Sequence, residues 1–215
     1  MKGRPAVNVT DVQGDFTTWK TGSLAVPHSD EAYVKNVDAA TRHLREAGFL
    51  IVATQDWHPR DHISFASNHP GKKPFETIQM DGRTQVLWPD HCVQGTEGAR
   101  ILLDNKLFAA IIQKGMDPKF DSYSGFRNDG GAKTEMEAIL RAHGIASLII
   151  YGMATDYCVR ATALDAVKLG FRVIVLEALC RGITPDTALR ALQEMREAGI
   201  VVMKELDIET ITSLT

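Results

Sequence analysis

The sequence has little that would tie it to a membrane, a nucleic acid or an oxidising compartment. Its 215 residues hold no apolar run approaching the ~18 residues that span a bilayer. Cysteine is scarce. Cys92, Cys158 and Cys180 are widely spaced, odd in number and outside any CxxC pair. That excludes a disulfide framework and a zinc ribbon, and a reducing cytoplasm is the expected setting. The formal net charge of −3 offers no basic field for nucleic acid. The opening "MKGRPAVNV" lacks the apolar stretch of a secretory signal. Repeats, heptads and low-complexity tracts are missing as well.

What is present is the composition of a soluble globule, 44% apolar and 24% charged, long enough for one sizeable domain over residues 1–215. Val7 and Val9 suggest a first strand, interrupted by Asn8 and Thr10. A helix is predicted next, capped by Ser29 and closed by Gly48, with Val34, Val37 and Leu44 on one face. "FLIVATQ" (49–55), "LFAAIIQK" (107–114) and "SLIIYG" (147–152) are continuous apolar runs, as expected of strands buried on both faces. Helices are predicted over 133–144, 156–170 and about 185–198, and strands over 171–180 and 200–205. The alternation predicts an α/β fold: an open parallel sheet with helices on both faces. The first turn, "TDVQGDF", carries no G-x-G-x-x-G, so dinucleotide binding is not expected there. The connections 57–95 and 115–132 are too long to be plain links, and functional loops are expected.

Ligands of open parallel sheets bind outside the carboxyl ends of the strands. Past the first strand lies Asp11, past the second Asp56 and His58, at the end of the third Lys114, and past the fourth "GMATDYC" with Cys158. Two readings of Cys158 stand: a small buried apolar group, or a thiol whose thiolate is favoured by a helix start. Free N–H groups in "ATDYC" would form an oxyanion hole beside it. Cys180 reads as core, and Cys92 is left undecided. Asp11 is a turn aspartate or a base for the thiol proton, with Asp15 as competitor. Lys114 marks an exit to solvent, or is a fixed cation between Asp11 and Cys158.

Asp56 and His58 point the same way in extended chain, and His91 can return as a third ligand. Two imidazoles and a carboxylate suit zinc, iron or manganese, although loop histidines are more often only solvated. Phe16, Trp88 and Tyr123 come from separate turns. They plug gaps, or they form an aromatic pocket for a flat ligand.

Several stretches in order resemble one family. "DVQGDF" with "GSLAVP", "TQDWHPRDHISFASNHP", "VLWPDHCVQGT", "DSYSGF" and "YGMATDYCVRATALDAV" are similar to bacterial nicotinamidases/pyrazinamidases, within the isochorismatase-like cysteine hydrolases. The similarity runs from about Val9 to near Arg196. It implies a six-stranded parallel sheet and an Asp11–Lys114–Cys158 triad. It implies one divalent ion, zinc foremost, on Asp56, His58 and His91, with His62 close by. It further implies a cis peptide between Met153 and Ala154, N–H groups of Ala154 and Cys158 aimed at the carbonyl oxygen, and Phe16, Trp88 and Tyr123 around a pyridine ring. The implied reaction is hydrolysis of nicotinamide to nicotinate and ammonia through a thioester, in NAD salvage. The implied ion orients the substrate more than it activates the nucleophile. Gly14 departs from the family pattern, as do the polar first strand and "TTWK" (17–20). The alternatives are an amidase for another small amide or carbamoyl compound, a metallohydrolase in which Cys158 only packs, and a binding protein on the same fold. A homo-oligomer is left open.

Overall fold

The computed structural model describes residues 4–215. Residues 1–3, which open both the stretch read as lacking a signal and the 1–215 domain, lie outside the described residues. Six parallel strands form the main sheet: β1 (Arg4–Thr10), β2 (Leu50–Asp56), β5 (Ala110–Lys114), β6 (Ile145–Met153), β7 (Arg172–Arg181) and β8 (Val201–Met203). Their spatial order is β5-β2-β1-β6-β7-β8. The chain therefore walks outward from β1 in one direction and from β6 in the other. With right-handed crossovers this reversal puts helices on both faces. The gap between the ends of β1 and β6 is the switch point where such sheets bind ligands.

Residues of both pleat faces are buried in the central strands. Ile51, Val52 and Ala53 of β2 and Leu148 to Tyr151 of β6 are each nearly inaccessible. That explains their unbroken apolar runs. β1 is equally central yet carries Asn8 and Thr10, both fully buried. The Asn8 amide donates to Thr10 Oγ1 at 2.9 Å, so the two polar groups partly satisfy each other.

α1 (Glu31–Glu46) buries Val34, Val37 and Leu44, as the periodicity predicts. Its cap is Asp30, which accepts the Tyr33 N–H at 2.9 Å, and not Ser29. The Ser29 hydroxyl instead lies 3.2 Å from the Phe16 carbonyl and accepts the Thr18 N–H at 2.9 Å, tying down the turn after β1. α2 (Met136–Ala142) begins three residues later than the pattern suggested, because Thr134 closes a loop onto the Gly125 carbonyl. α3 (Arg160–Lys168) also begins later. Residues Thr155–Val159, with Cys158 among them, form a separate wider π-type turn. α4 (Pro185–Glu197) starts at a Thr184 cap with Pro185 in its first turn. Three elements had no readable pattern: α5 (Ile208–Leu214), and the strands β3 (Thr77–Met80) and β4 (Arg83–Val86) of an antiparallel hairpin inside the first long connection. Among the described residues, no helix is long and apolar enough to cross a membrane.

Close approach of β1 and β6 depends on one glycine. Gly152 pairs with Thr10, and a Cβ at Gly152 would lie 2.1 Å from the Thr10 carbonyl oxygen. Its φ of +128° is also left to glycine. Gly152→Ala is expected to cost about 2–4 kcal/mol of stability, read as a lower urea midpoint at unchanged slope.

Candidate active site

The ends of β1, β2, β5 and β6 deliver four chemically active groups to one buried point. Asp56 ends β2 and Lys114 ends β5, and the parallel register sets the two side by side. Asp11 follows β1 with a φ of +49°, and Cys158 sits in the turn after β6. Lys114 is 2% exposed, so it is no exit to solvent. Its ammonium lies 3.0 Å from Asp11 Oδ2 and donates to the Ser122 carbonyl at 2.8 Å. It also donates to Asp56 Oδ1 and to Cys158 Sγ, the latter at 3.4 Å. Acceptor atoms of Asp11 and Asp56 and the thiol sulfur all fall within 4.8 Å of one another. Asp11 and Lys114 form a buried ion pair, and the Thr54 side chain also interacts with the Asp11 carboxylate.

Burial and charge decide the protonation states here. Burial pushes Asp11 above its ordinary carboxylate value. Lys114 pulls against this and Asp56 adds to it. Burial acts on Asp56 in the same direction, yet Lys114 and His58 outweigh it and hold that carboxyl well below the usual range. Burial would lower Lys114, but Asp11 and Asp56 keep it firmly protonated. Burial drives the Cys158 thiol well up, opposed by Lys114 and reinforced by Asp11 and Asp56. Burial thus works against the resting thiolate that a helix start would favour, and the thiol lies beside a carboxylate held by Lys114.

A second cluster adjoins the first. Ligand atoms of Asp56, His58 and His91 lie within 4.8 Å of one another, and all three side chains are buried. His58 Nδ1 is 2.9 Å from the Gly115 carbonyl, and His91 Nδ1 is 2.8 Å from the Pro89 carbonyl. A carbonyl only accepts, so each Nδ1 carries a proton and Nε2 is the atom each ring can offer as a ligand. Burial, followed by the neighbouring His58, lowers His91 to about 4, leaving it neutral at pH 7. Burial would also lower His58, but the Asp56 carboxylate raises it, so positive charge is favoured between the two. A carboxylate and two imidazole Nε2 atoms, that of His58 once a metal displaces its second proton, fit a divalent ion of the zinc, iron or manganese kind. The His62 ring lies 4.3 Å from that of His58, centroid to centroid and tilted by 42°, and its Nδ1 is engaged by Ser64 at 2.7 Å.

The cavity over both clusters is lined by Phe16, Trp88, Tyr123, Ala154 and Cys158, together with Asp56 and His91. The three aromatic residues predicted from the sequence therefore do converge. The Trp88 indole donates to the Tyr123 hydroxyl at 3.2 Å, and the Phe16 ring lies 5.4 Å from that of His91. The Met153–Ala154 peptide is cis. Leu24, Asp121, Tyr157 and Ile183 line the same cavity and were not singled out in the sequence. Ile183 lies just past β7, so the strand-end rule extended to that strand would have found it.

Two residues near Asp11 serve the framework. Asp15 accepts the Cys92 N–H at 2.7 Å and so anchors the loop that carries His91. Cys92 itself is fully buried, and burial holds its thiol well above the ordinary value, which makes it core. The Gln13 amide donates to the carbonyls of Asp56 and Ala99 at 2.8 and 2.9 Å and accepts the Asp56 N–H at 2.8 Å. It clamps the Asp56 backbone, a role invisible in the sequence because a glutamine in a turn is usually solvated.

An open, doubly wound α/β domain with thiol, ammonium and carboxylate gathered at its switch point is the class that fold and site define. The profile of the Isochorismatase domain matches residues 5–205, and the chain belongs to the isochorismatase family. It is 43% identical over 212 residues to the nicotinamidase of Escherichia coli K12, covering 95% of this chain and 96% of that one. The solved pyrazinamidase of Pyrococcus horikoshii in complex with zinc is 40% identical, with a TM-score of 0.79 over 94% of this chain and 99% of that one. The yeast nicotinamidase bound to the inhibitor nicotinaldehyde is 32% identical, with a TM-score of 0.86 over 94% and 100%.

Proposed function

We propose that the protein hydrolyses nicotinamide, and its analogue pyrazinamide, to the free acid and ammonia in cytoplasmic NAD salvage. The observation that carries this reading is the buried Asp11–Lys114–Cys158 cluster, set in the wall of an aromatic cavity beside a cation-binding donor set. The similarity to nicotinamidases over nearly the whole chain supports it.

Cys158 Sγ attacks the amide carbon while Asp11 takes the thiol proton. Lys114 steadies the charge that builds nearby, and the N–H groups of Ala154 and Cys158 receive the oxyanion. The carbon–nitrogen bond breaks as Asp11 returns the proton to the departing amine, and ammonia leaves. Water then attacks the thioester with Asp11 as base, releasing the acid and restoring the thiol. Phe16, Trp88 and Tyr123 hold the ring flat. Asp56, His58 and His91 would hold one divalent ion, zinc foremost, which would supply a Lewis-acidic anchor for the ring nitrogen.

The test is ammonia release by the purified, zinc-loaded protein from nicotinamide, pyrazinamide and a panel of unrelated small amides. Turnover of the two heteroaromatic amides well above the panel is the expected result. Turnover confined to another small amide would overturn the substrate assignment.

The proposed ion site makes a separate prediction. A Cβ at Gly115 would lie 2.3 Å from His58 Cε1, and its φ of +69° already disfavours a side chain. Gly115→Ala displaces the His58 ring, so zinc affinity is expected to fall by about 10–100-fold, measured by competition with a chromogenic chelator.

A further inference from the structure

Asp156 lies two residues before Cys158 in the same turn and is only 8% exposed. A carboxylate so placed needs partners, and both of its partners come from another part of the chain. Oδ1 accepts the Ile183 N–H at 3.1 Å, and Oδ2 accepts the Thr187 hydroxyl at 2.5 Å. Ile183 precedes the Thr184 cap of α4, and Thr187 lies in the first turn of that helix. Thr184 in turn accepts the Thr187 N–H at 3.2 Å. The segment is also packed closely, since a Cβ at Gly182 would lie 2.6 Å from Ala188 Cβ. One carboxylate thus fastens the β7–α4 connection to the turn that carries the thiol.

Ile183 and Cys158 line the same cavity. We infer that Asp156 is a positioning residue that holds Ile183 as a fixed wall against the substrate ring, and that Ile183 sets the ring size the site accepts. The inference rests on the amidase reading for its substrate. Hydrogen bonds to an ionised carboxylate are among the stronger ones, so the connection is held in register. A β-branched isoleucine has little rotamer freedom with which to yield. An apolar wall of this kind discriminates against one extra methyl group by about 10–200-fold.

The experiment compares nicotinamide with ring-methylated nicotinamides for the wild type, Ile183→Ala, Asp156→Ala, Asp156→Asn and the Ile183→Ala/Asp156→Ala double variant. Ile183→Ala is expected to narrow the kcat/KM ratio between the two substrates by about tenfold or more. Asp156→Ala should narrow it in the same sense, with KM rising more than kcat falls. Asp156→Asn, which keeps one acceptor, should lie between it and the wild type. The double variant should move the ratio no further than Ile183→Ala alone, because both changes remove one wall. Hydrogen exchange of residues 182–188 should quicken in Asp156→Ala while that of α1 stays unchanged.

A merely structural Asp156 would lower activity on both amides equally and leave the ratio unmoved, and that result overturns the inference. Unchanged exchange in 182–188 overturns it independently of any assay. Should Asp156→Ala not fold, the ratio for Asp156→Asn decides in its place. If the wild type turns over neither amide, the substrate reading fails, and the exchange result still decides whether Asp156 holds Ile183.

Discussion

Cys158→Ala is expected to cut ammonia release from nicotinamide by at least about 10⁴-fold, with a melting temperature within a few degrees of wild type. The size of the loss follows from the geometry. The sulfur is the atom on which the other groups converge, 3.4 Å from the Lys114 ammonium and within 4.8 Å of an Asp11 oxygen. Removing it leaves the carboxylate with no nucleophile to deprotonate. The small stability effect follows from the volume involved, since a single buried atom is lost and the wall is otherwise intact. Lys114 keeps Asp56 and the Ser122 carbonyl as partners when the sulfur is removed. Mass spectrometry of acid-quenched enzyme supplies the positive control. A nicotinoyl adduct on the peptide containing residues 155–160 should be seen during turnover of wild type and not of the variant. If Cys158 were packing alone, the alanine protein would keep its rate and no adduct would form.

The way these groups are assembled explains what could be read from the chain and what could not. A strand buried on both faces is written as an unbroken apolar run, so β2, β5 and β6 were legible, and the residues at their ends could be gathered by the strand-end rule alone. Asp11, Asp56, His58, Lys114 and Cys158 were all gathered in that way, and the spacing of Asp56 and His58 added the metal-ligand reading. Bounds were less legible. Lys114 closes a strand that begins three residues later than its apolar run, because 105–107 form a separate short turn ahead of it. The hairpin of β3 and β4 was missed because its exposed strands lack a sustained apolar alternation. Charge states were not legible at all. A helix start predicts a low thiol pKa, but no sequence pattern shows that two carboxylates and full burial meet the same sulfur. Gln13 and Asp156 were hidden for a related reason: each acts through a partner 43 or 31 residues away.

Asp11→Asn is expected to reduce kcat by about 10²–10⁴-fold, the usual reach of a positioned base, while leaving the protein as stable as wild type at pH 7, or more so. The two halves of this prediction have one cause. Burial, with help from Asp56, raises the Asp11 carboxyl above its unfolded value, and Lys114 only partly offsets this. The fold therefore disfavours the charged form. A carboxyl raised in this way stabilises the native state below its unfolded pKa, and that contribution is lost as the pH rises through the folded value. Asparagine removes the charge and with it the loss. The asparagine Oδ1 can still accept from Lys114 or Thr54, so the amide need orphan no donor there. Lys114 retains Asp56 and the Ser122 carbonyl. The melting temperature of the variant minus that of wild type should increase as the pH rises above about 4. A variant that loses activity and also melts earlier as the pH rises would mean that the Asp11–Lys114 attraction outweighs burial, and that Asp11 holds the fold together as well as moving the proton. The expected outcome is the opposite one, in which this site keeps a fully buried carboxylate at a cost in stability because the thiol proton needs somewhere to go.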